Sequence, residues 1–207
     1  MIPRPPVRLR CEYLDEPLGV DTPSPRLAWL VESDVRDDSQ RWCHVLVSSA
    51  RELLRSDIGD LWDTGQIPPP ELPGLAYAGA SLQSCARCFW KVRWADREGR
   101  ISPWSEPASF VTGFLAPGDW KPRWIAARRV REFRSKGTLL LGHQGEDDTQ
   151  ACAVYLRKEF AVEGRVALAM IFVSGLGHYE LRLNGDKIGT SVLDPGWTDY
   201  RKKALYA

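Results

Sequence analysis

Apolar and polar residues alternate with a period of two along several short stretches of this chain. Residues 89–95 are the clearest case: Trp90, Val92 and Trp94 share one face, with Lys91 and Arg93 opposite. Successive side chains of a strand point to opposite faces, so this pattern predicts a strand. Residues 26–32 place Leu27, Trp29 and Val31 on one face in the same way. Residues 40–48 set Trp42, His44 and Leu46 against Cys43, Val45 and Val47; both faces are partly apolar, which suits a central strand. Residues 9–13, 61–65 and 108–114 are further short strands, and residues 50–56 fit one or two helical turns. Pro68-Pro69-Pro70 and Pro73-Gly74 lack ladder donors and read as a loop or a sheet edge. About seven short strands separated by turns predict a β-sandwich of immunoglobulin-like type over residues 1–116.

The segment 117–125 carries two prolines and a glycine, as a connector does, yet it also holds Trp120 and Trp124. Indoles are costly to leave in water, so both are expected to be packed and the joint stiff. Residues 126–207 restart the alternation. Residues 136–142 are a candidate strand, 145–149 an acidic loop, 154–160 an alternating strand, and 165–173 a strongly apolar, buried strand. Residues 179–183 and 187–192 flank Asn184-Gly185, the strongest short hairpin signal, because both residues tolerate positive φ. The second module is therefore a second β-sandwich of which only the first strands are present. The overall class is all-β.

Composition narrows the partners. The 207 residues carry 28 basic and 27 acidic side chains, so no net field draws the chain to nucleic acid or an anionic membrane. The clusters Arg128-Arg129-Val130-Arg131 and Arg201-Lys202-Lys203 read as solvated edges. Nothing approaches the roughly 20 apolar residues of a membrane helix. The N-terminal MIPRPPVRLR lacks the apolar core of a secretory signal, which gives a cytoplasmic expectation with secretion left open. Five cysteines are an odd count and suit a reducing compartment. Cys85 and Cys88 form one C-x-x-C that leads into a strand and has no second pair, so ordinary thiols are expected rather than zinc or redox chemistry.

No nucleophile elbow, metalloprotease helix or phosphate loop occurs. The three histidines, His44, His143 and His178, are isolated in sequence, and no carboxylate stands close to His44 along the chain. The acidic loop at 145–149 lacks the ligand spacing of a calcium loop. No catalytic residue and no metal ligand is assigned. Nine tryptophans serve either as core or as sugar-stacking platforms.

Trp-x-Val-x-Trp-x-Asp-x-x-Gly from Trp90, followed by Ser102-Pro-Trp-Ser105, resembles a fibronectin type III domain. A wider set of motifs follows in order: Pro17-Leu-Gly-Val-Asp21, Pro25-Arg-Leu-Ala-Trp29, Leu61-Trp-Asp-Thr-Gly65 and Asp119-Trp120. Tyr155-Leu-Arg-Lys-Glu-Phe160, Ser174-Gly-Leu-Gly-His-Tyr-Glu-Leu-Arg-Leu-Asn-Gly185 and Leu193-Asp-Pro-Gly-Trp-Thr-Asp-Tyr200 complete it. Together they resemble the N-terminal region of bacterial α-L-rhamnosidases, glycoside hydrolase family 78. The resemblance implies a parent enzyme that removes terminal α-L-rhamnose from glycosides with inversion. Two glutamates of an (α/α)6 barrel outside this chain would do the chemistry, and the present modules would pack against that barrel. Some relatives of the second module bind rhamnose through calcium, with an Asp-Asn pair as ligands. Here Asn184 matches but Leu183 replaces the aspartate, so no cofactor is expected. By the same resemblance Asn184, Trp197 and Tyr200 are the candidate carbohydrate-binding residues. Two other readings stand beside this one: a stand-alone carbohydrate-binding or adhesion module, and an interaction scaffold.

Overall fold

The computed structural model describes residues 2–71, 74–126, 153–166 and 168–206. The expected strand at 136–142, the acidic loop at 145–149, the arginine cluster at 128–131, His143 and Cys152 lie outside the described residues. The chain forms two compact units, Met1–Lys121 and Pro122–Ala207.

In the first unit the strands are β1 (Val7–Cys11), β2 (Arg26–Leu30), β3 (Trp42–Ser48), β4 (Trp62–Asp63), β5 (Leu75–Ala76), β6 (Arg87–Ala95) and β7 (Ala108–Val111), with one short helix, α1 (Arg51–Arg55). They form two antiparallel sheets, β1-β2-β5 and β4-β3-β6-β7. This is the two-layer arrangement the alternation predicts. Their inner faces meet in one core, with Cys11, Val20 and Leu27 opposite Cys43, Val45, Val47, Cys88, Trp90, Val92 and Phe110. Tyr77 closes it from the side, its hydroxyl 2.6 Å from the Ala80 carbonyl and its ring edge-on to Trp62 at 5.2 Å. Burial pushes the Tyr77 hydroxyl up to about 12.

The boundaries differ from expectation for local reasons. β1 starts earlier than residue 9 and stops at Cys11, because Glu12 and Tyr13 take left-handed backbone, φ 47 and 68. β5 was not legible as a strand: it is two residues long and directly follows the proline-rich loop. The loop after Glu16 is structured by main-chain bonds to β7, Val111 N to Pro17 O and Val20 N to Val111 O, both 2.9 Å. The N-terminal arm is tied down by the Trp94 indole, which donates to Arg4 O at 2.8 Å.

Cys11, Cys43 and Cys88 are buried and free. Burial pushes the Cys11 thiol up to about 12 and those of Cys43 and Cys88 up to about 11, so all three stay protonated and unreactive. Cys85 is half-buried and free. The C-x-x-C therefore supplies one core residue and one rim residue.

At the connector, Trp120 packs edge-on against Phe114, ring centroids 5.0 Å apart. Trp124 does not follow the expectation: it is 61 % exposed, within a run from Lys121 to Ala126 that is exposed throughout. Lys121, Pro122 and Arg123 precede it and bring no apolar partner.

In the second unit the hairpin forms as predicted, with β8 (Arg182–Leu183) and β9 (Asp186–Lys187) paired across Asn184-Gly185. Residues 154–160 and 165–173 were expected as strands, the second one buried. Their described positions belong to no ladder, and most of their apolar side chains are exposed. A strand holds its shape through neighbours on both edges and cover on its faces, and one two-residue-per-strand hairpin offers little of either.

Two stability experiments test the first unit. Trp90 is wholly buried with no partner for its indole N–H. Trp90→Ala is expected to cost about 3–5 kcal/mol by urea denaturation. Trp90→Phe is expected to cost clearly less, since it keeps an aromatic ring and removes a buried orphan donor. Asp96 is buried, which alone would raise its pKa. Its bonds from Arg100 Nε (2.6 Å), Arg100 N (2.8 Å) and Glu98 N (3.0 Å) outweigh that and hold it below the ordinary carboxylate range. A depressed carboxylate contributes stability above its unfolded pKa and loses it as the pH falls through the folded value. Asp96→Asn should therefore flatten the fall in melting temperature below about pH 4 while lowering stability at neutral pH.

Candidate functional site

β3 and β6 pair over seven rungs, which sets His44 opposite Arg93 and Leu46 opposite Lys91 on the outer face of their sheet. The alternation placed Lys91 and Arg93 away from the core, and so they are. That face is nonetheless covered. Lys91 is only 6 % exposed, beneath α1 and Trp104, and its ammonium bonds to the Leu54 carbonyl and the Asp57 carboxylate. The Trp104 ring lies over both cations, its centroid 4.7 Å from Lys91 Nζ and 4.4 Å from Arg93 Cζ. Aromatic faces attract cations, more so where water is thinned out. Trp104 is held there by its flanking serines: the Ser102 and Ser105 hydroxyls accept from Trp94 N and Val92 N, each at 3.1 Å.

His44 has the carboxylate that its sequence neighbourhood did not reveal. Its Nε2 is 2.6 Å from Asp63 Oδ1, and its Nδ1 is 3.2 Å from Arg93 Nη2. A guanidinium only donates, so Nδ1 accepts and the ring proton sits on Nε2, donating to Asp63. The His44 ring also leans on Trp104 at 5.0 Å. Asp57 is held below the ordinary carboxylate range by its bond from Lys91; Asp63 is also lowered, its bonds from Gly65 N and His44 outweighing the opposing effect of burial. The cluster joins cations, carboxylates and an aromatic ring, and within it the buried Arg93 Nε has no hydrogen-bond partner. It braces the sheet and has no activated nucleophile.

A concavity of about 460 Å³, open to solvent, lies between the loop Pro17–Ser24 and β2, lined by Glu12, Leu14, Leu18, Asp21 and Arg26. Among the described residues no group of three or more His, Cys, Asp or Glu side chains is placed to hold a metal.

In the second unit the three sequence-selected residues take separate places. Asn184 is at the hairpin tip with φ 52, followed by Gly185 at φ 94, so its evident role is conformational. Trp197 is 79 % exposed and lies parallel to the His178 ring, centroids 6.4 Å apart and planes 13° apart. His178 is fixed in turn by donating from Nδ1 to Leu193 O at 3.0 Å, beside the main-chain bond from Tyr179 N to Asp194 O at 2.8 Å. Tyr200 lies on the next turn, partly exposed. Among the described residues no hydrogen bond or ring contact joins Asn184 to Trp197 or Tyr200. Sequence alone did not single out His178 as a ring partner, because its distance from Trp197 along the chain gives no signal of the stack.

The folded architecture is thus an immunoglobulin-like β-sandwich followed by a second β unit, with no catalytic constellation among the described residues of either. Residues 6–116 match the family described as Rha78A-like, N-terminal immunoglobulin domain, and residues 164–207 match the α-L-rhamnosidase N-terminal domain. An α-L-rhamnosidase of Formosa agariphila is 32 % identical over 92 % of this chain, and one of Streptomyces avermitilis 35 % identical over 94 %. Among solved structures, the α-L-rhamnosidase of Dictyoglumus thermophilum superposes on 98 % of the chain with a TM-score of 0.83 at 34 % identity. The chain belongs to the Rha78A-like N-terminal immunoglobulin family and forms an N-terminal region of α-L-rhamnosidase type. It spans about a fifth of the length of these relatives, 20 % and 19 % of the two enzymes and 23 % of the solved chain.

Loss of the two aromatic residues should separate bracing from display. Trp104→Ala is expected to destabilise the first unit by about 2–4 kcal/mol, since it uncovers two cations as well as removing an indole. Trp197→Ala, at a mostly exposed position, should shift stability by less than about 0.5 kcal/mol. Urea midpoints of the two variants decide.

Proposed function

We propose that this chain is the accessory, non-catalytic leading part of an inverting α-L-rhamnosidase. The observation that carries the reading is an ordered match that runs through both units to enzymes about five times as long. The Streptomyces avermitilis enzyme has been solved in complex with L-rhamnose, and its structure superposes on 59 % of this chain with a TM-score of 0.55. In this reading the acid and the base lie in polypeptide beyond the present residues, in a helical barrel against which these β modules pack. Inversion requires a water between two carboxyl groups, hence a separation of about 6.5–9.5 Å. The first unit suits a structural role, since its polar cluster lies largely covered beneath α1 and Trp104 and its inner faces form one buried core.

The test compares the 207-residue chain with the longer polypeptide on p-nitrophenyl α-L-rhamnoside, following the released sugar by NMR. The short chain is expected to release nothing above the uncatalysed rate. The longer one is expected to release rhamnose with the β anomer first. Hydrolysis by the short chain, or an inactive longer protein, would overturn the reading.

A further inference from the structure

Imidazole is the side chain that gains charge between about pH 5 and 8, and His44 is the imidazole of the outer cluster on β3 and β6. Its two ring nitrogens meet opposite partners: Nε2 lies 2.6 Å from the Asp63 carboxylate and Nδ1 3.2 Å from Arg93 Nη2. The neutral ring satisfies both, donating to the first and accepting from the second. The doubly protonated ring satisfies Asp63 alone. Its Nδ1 then turns a hydrogen and a positive charge toward a guanidinium that can only donate. The His44 side chain is 14 % exposed, so water screens that repulsion weakly. The guanidinium has little else to hold it: Nε is buried with no hydrogen-bond partner among the described residues, and the Trp104 ring lies 4.4 Å from Cζ. A second acceptor stands close by. The bonds to Asp63 from His44 Nε2 and from Gly65 N (2.9 Å) both fall on Oδ1, so among the described residues Oδ2 takes none, and Asp63 is near enough to feel the Arg93 charge.

We propose that His44 is a proton-operated latch on the Trp104 cover: a second proton on Nδ1 expels the Arg93 guanidinium, which leaves the Trp104 ring for Asp63 Oδ2 while the imidazolium keeps Oδ1. The charged groups around the latch set the direction of the movement. Asp63, from β4, favours the imidazolium, and Arg93, from β6, opposes it. The carboxylate is the nearer of the two, so the guanidinium yields. Lys91, the other cation of β6 under Trp104, is bonded to the Leu54 carbonyl and to Asp57 in the segment after α1, and it stays in place. Residues 102–105, which carry Trp104, add no charge. Their backbone is anchored through the Ser102 and Ser105 hydroxyls, which accept from Trp94 N and Val92 N, and this confines the change to side chains. Mildly acid solution thus frees one cation and one side of an indole that neutral solution keeps together on the outer face of the sheet.

Nitrogen-15 NMR of the 207-residue chain between about pH 8 and pH 5 tests this, reading the His44 ring nitrogens and the exchange of the Arg93 Nε hydrogen with water. The protection factor of that hydrogen should fall at least about tenfold on acidification, with the same midpoint as the His44 ring titration. The backbone amides of Val92 and Trp94 should keep their protection throughout. His44→Gln retains a donor for Asp63 and an acceptor for Arg93 but takes up no proton in this range, so it should hold Arg93 Nε protected at every pH. A His44 ring that titrates while Arg93 stays protected overturns the proposal, as do separate midpoints or a ring that takes no second proton above about pH 5. Loss of Arg93 protection that persists in His44→Gln assigns the response to another group and overturns it too. Loss of protection at Val92 and Trp94 together with Arg93 means unfolding of the unit, which also defeats a latch. Where the variant does not fold, the midpoints in the unaltered chain decide.

Discussion

The seven-rung pairing of β3 with β6 is the constraint on which the first unit depends. One register serves two faces at once. Inward it layers Val45 and Val47 with Trp90 and Val92 to make the core; outward it sets His44 beside Arg93 and Leu46 beside Lys91. A slip of one residue would turn Trp90 and Trp94 to the outer face and bring Lys91 and Arg93 into the core, so burial on one face and the cation–aromatic contacts on the other enforce the same alignment. Trp104 then acts as a cover whose attraction to two cations exists only in that register. The outer cluster is thus a consequence of the pairing and a lock upon it.

What could be read from sequence was what depends on local period. The strands around Leu27, Val45 and Trp90, the short helix, and the Asn184-Gly185 hairpin all announce themselves within a few residues. What could not be read depends on approach in space. Asp63 reaches His44 because β4 pairs with β3, and no spacing rule contains that pairing. The alternation placed Lys91 opposite the core face; only the position of α1 and Trp104 reveals that it is covered there. The exposure of residues 165–173 is the converse case. Their composition reads as that of a buried strand, yet the described residues of this stretch belong to no ladder and several of their apolar side chains are exposed.

The candidate sugar-binding residues Asn184, Trp197 and Tyr200 take separate places in the second unit. Asn184 serves a turn, and Trp197 has His178 as its ring partner. The two units differ: the first is a β-sandwich with a buried core, and the described residues of the second expose many apolar and aromatic side chains. The chain spans about a fifth of the length of its α-L-rhamnosidase relatives.

The distribution of indoles gives the core of the first unit its own optical signature. Trp90 and Trp94 are sealed in the sandwich, whereas Trp124 and Trp197 face water in the second unit. Trp29, Trp42, Trp62, Trp104 and Trp120 of the first unit are half-buried. Blue-shifted emission that resists added iodide therefore reports on the sandwich core of the first unit, while quenchable emission mixes both units.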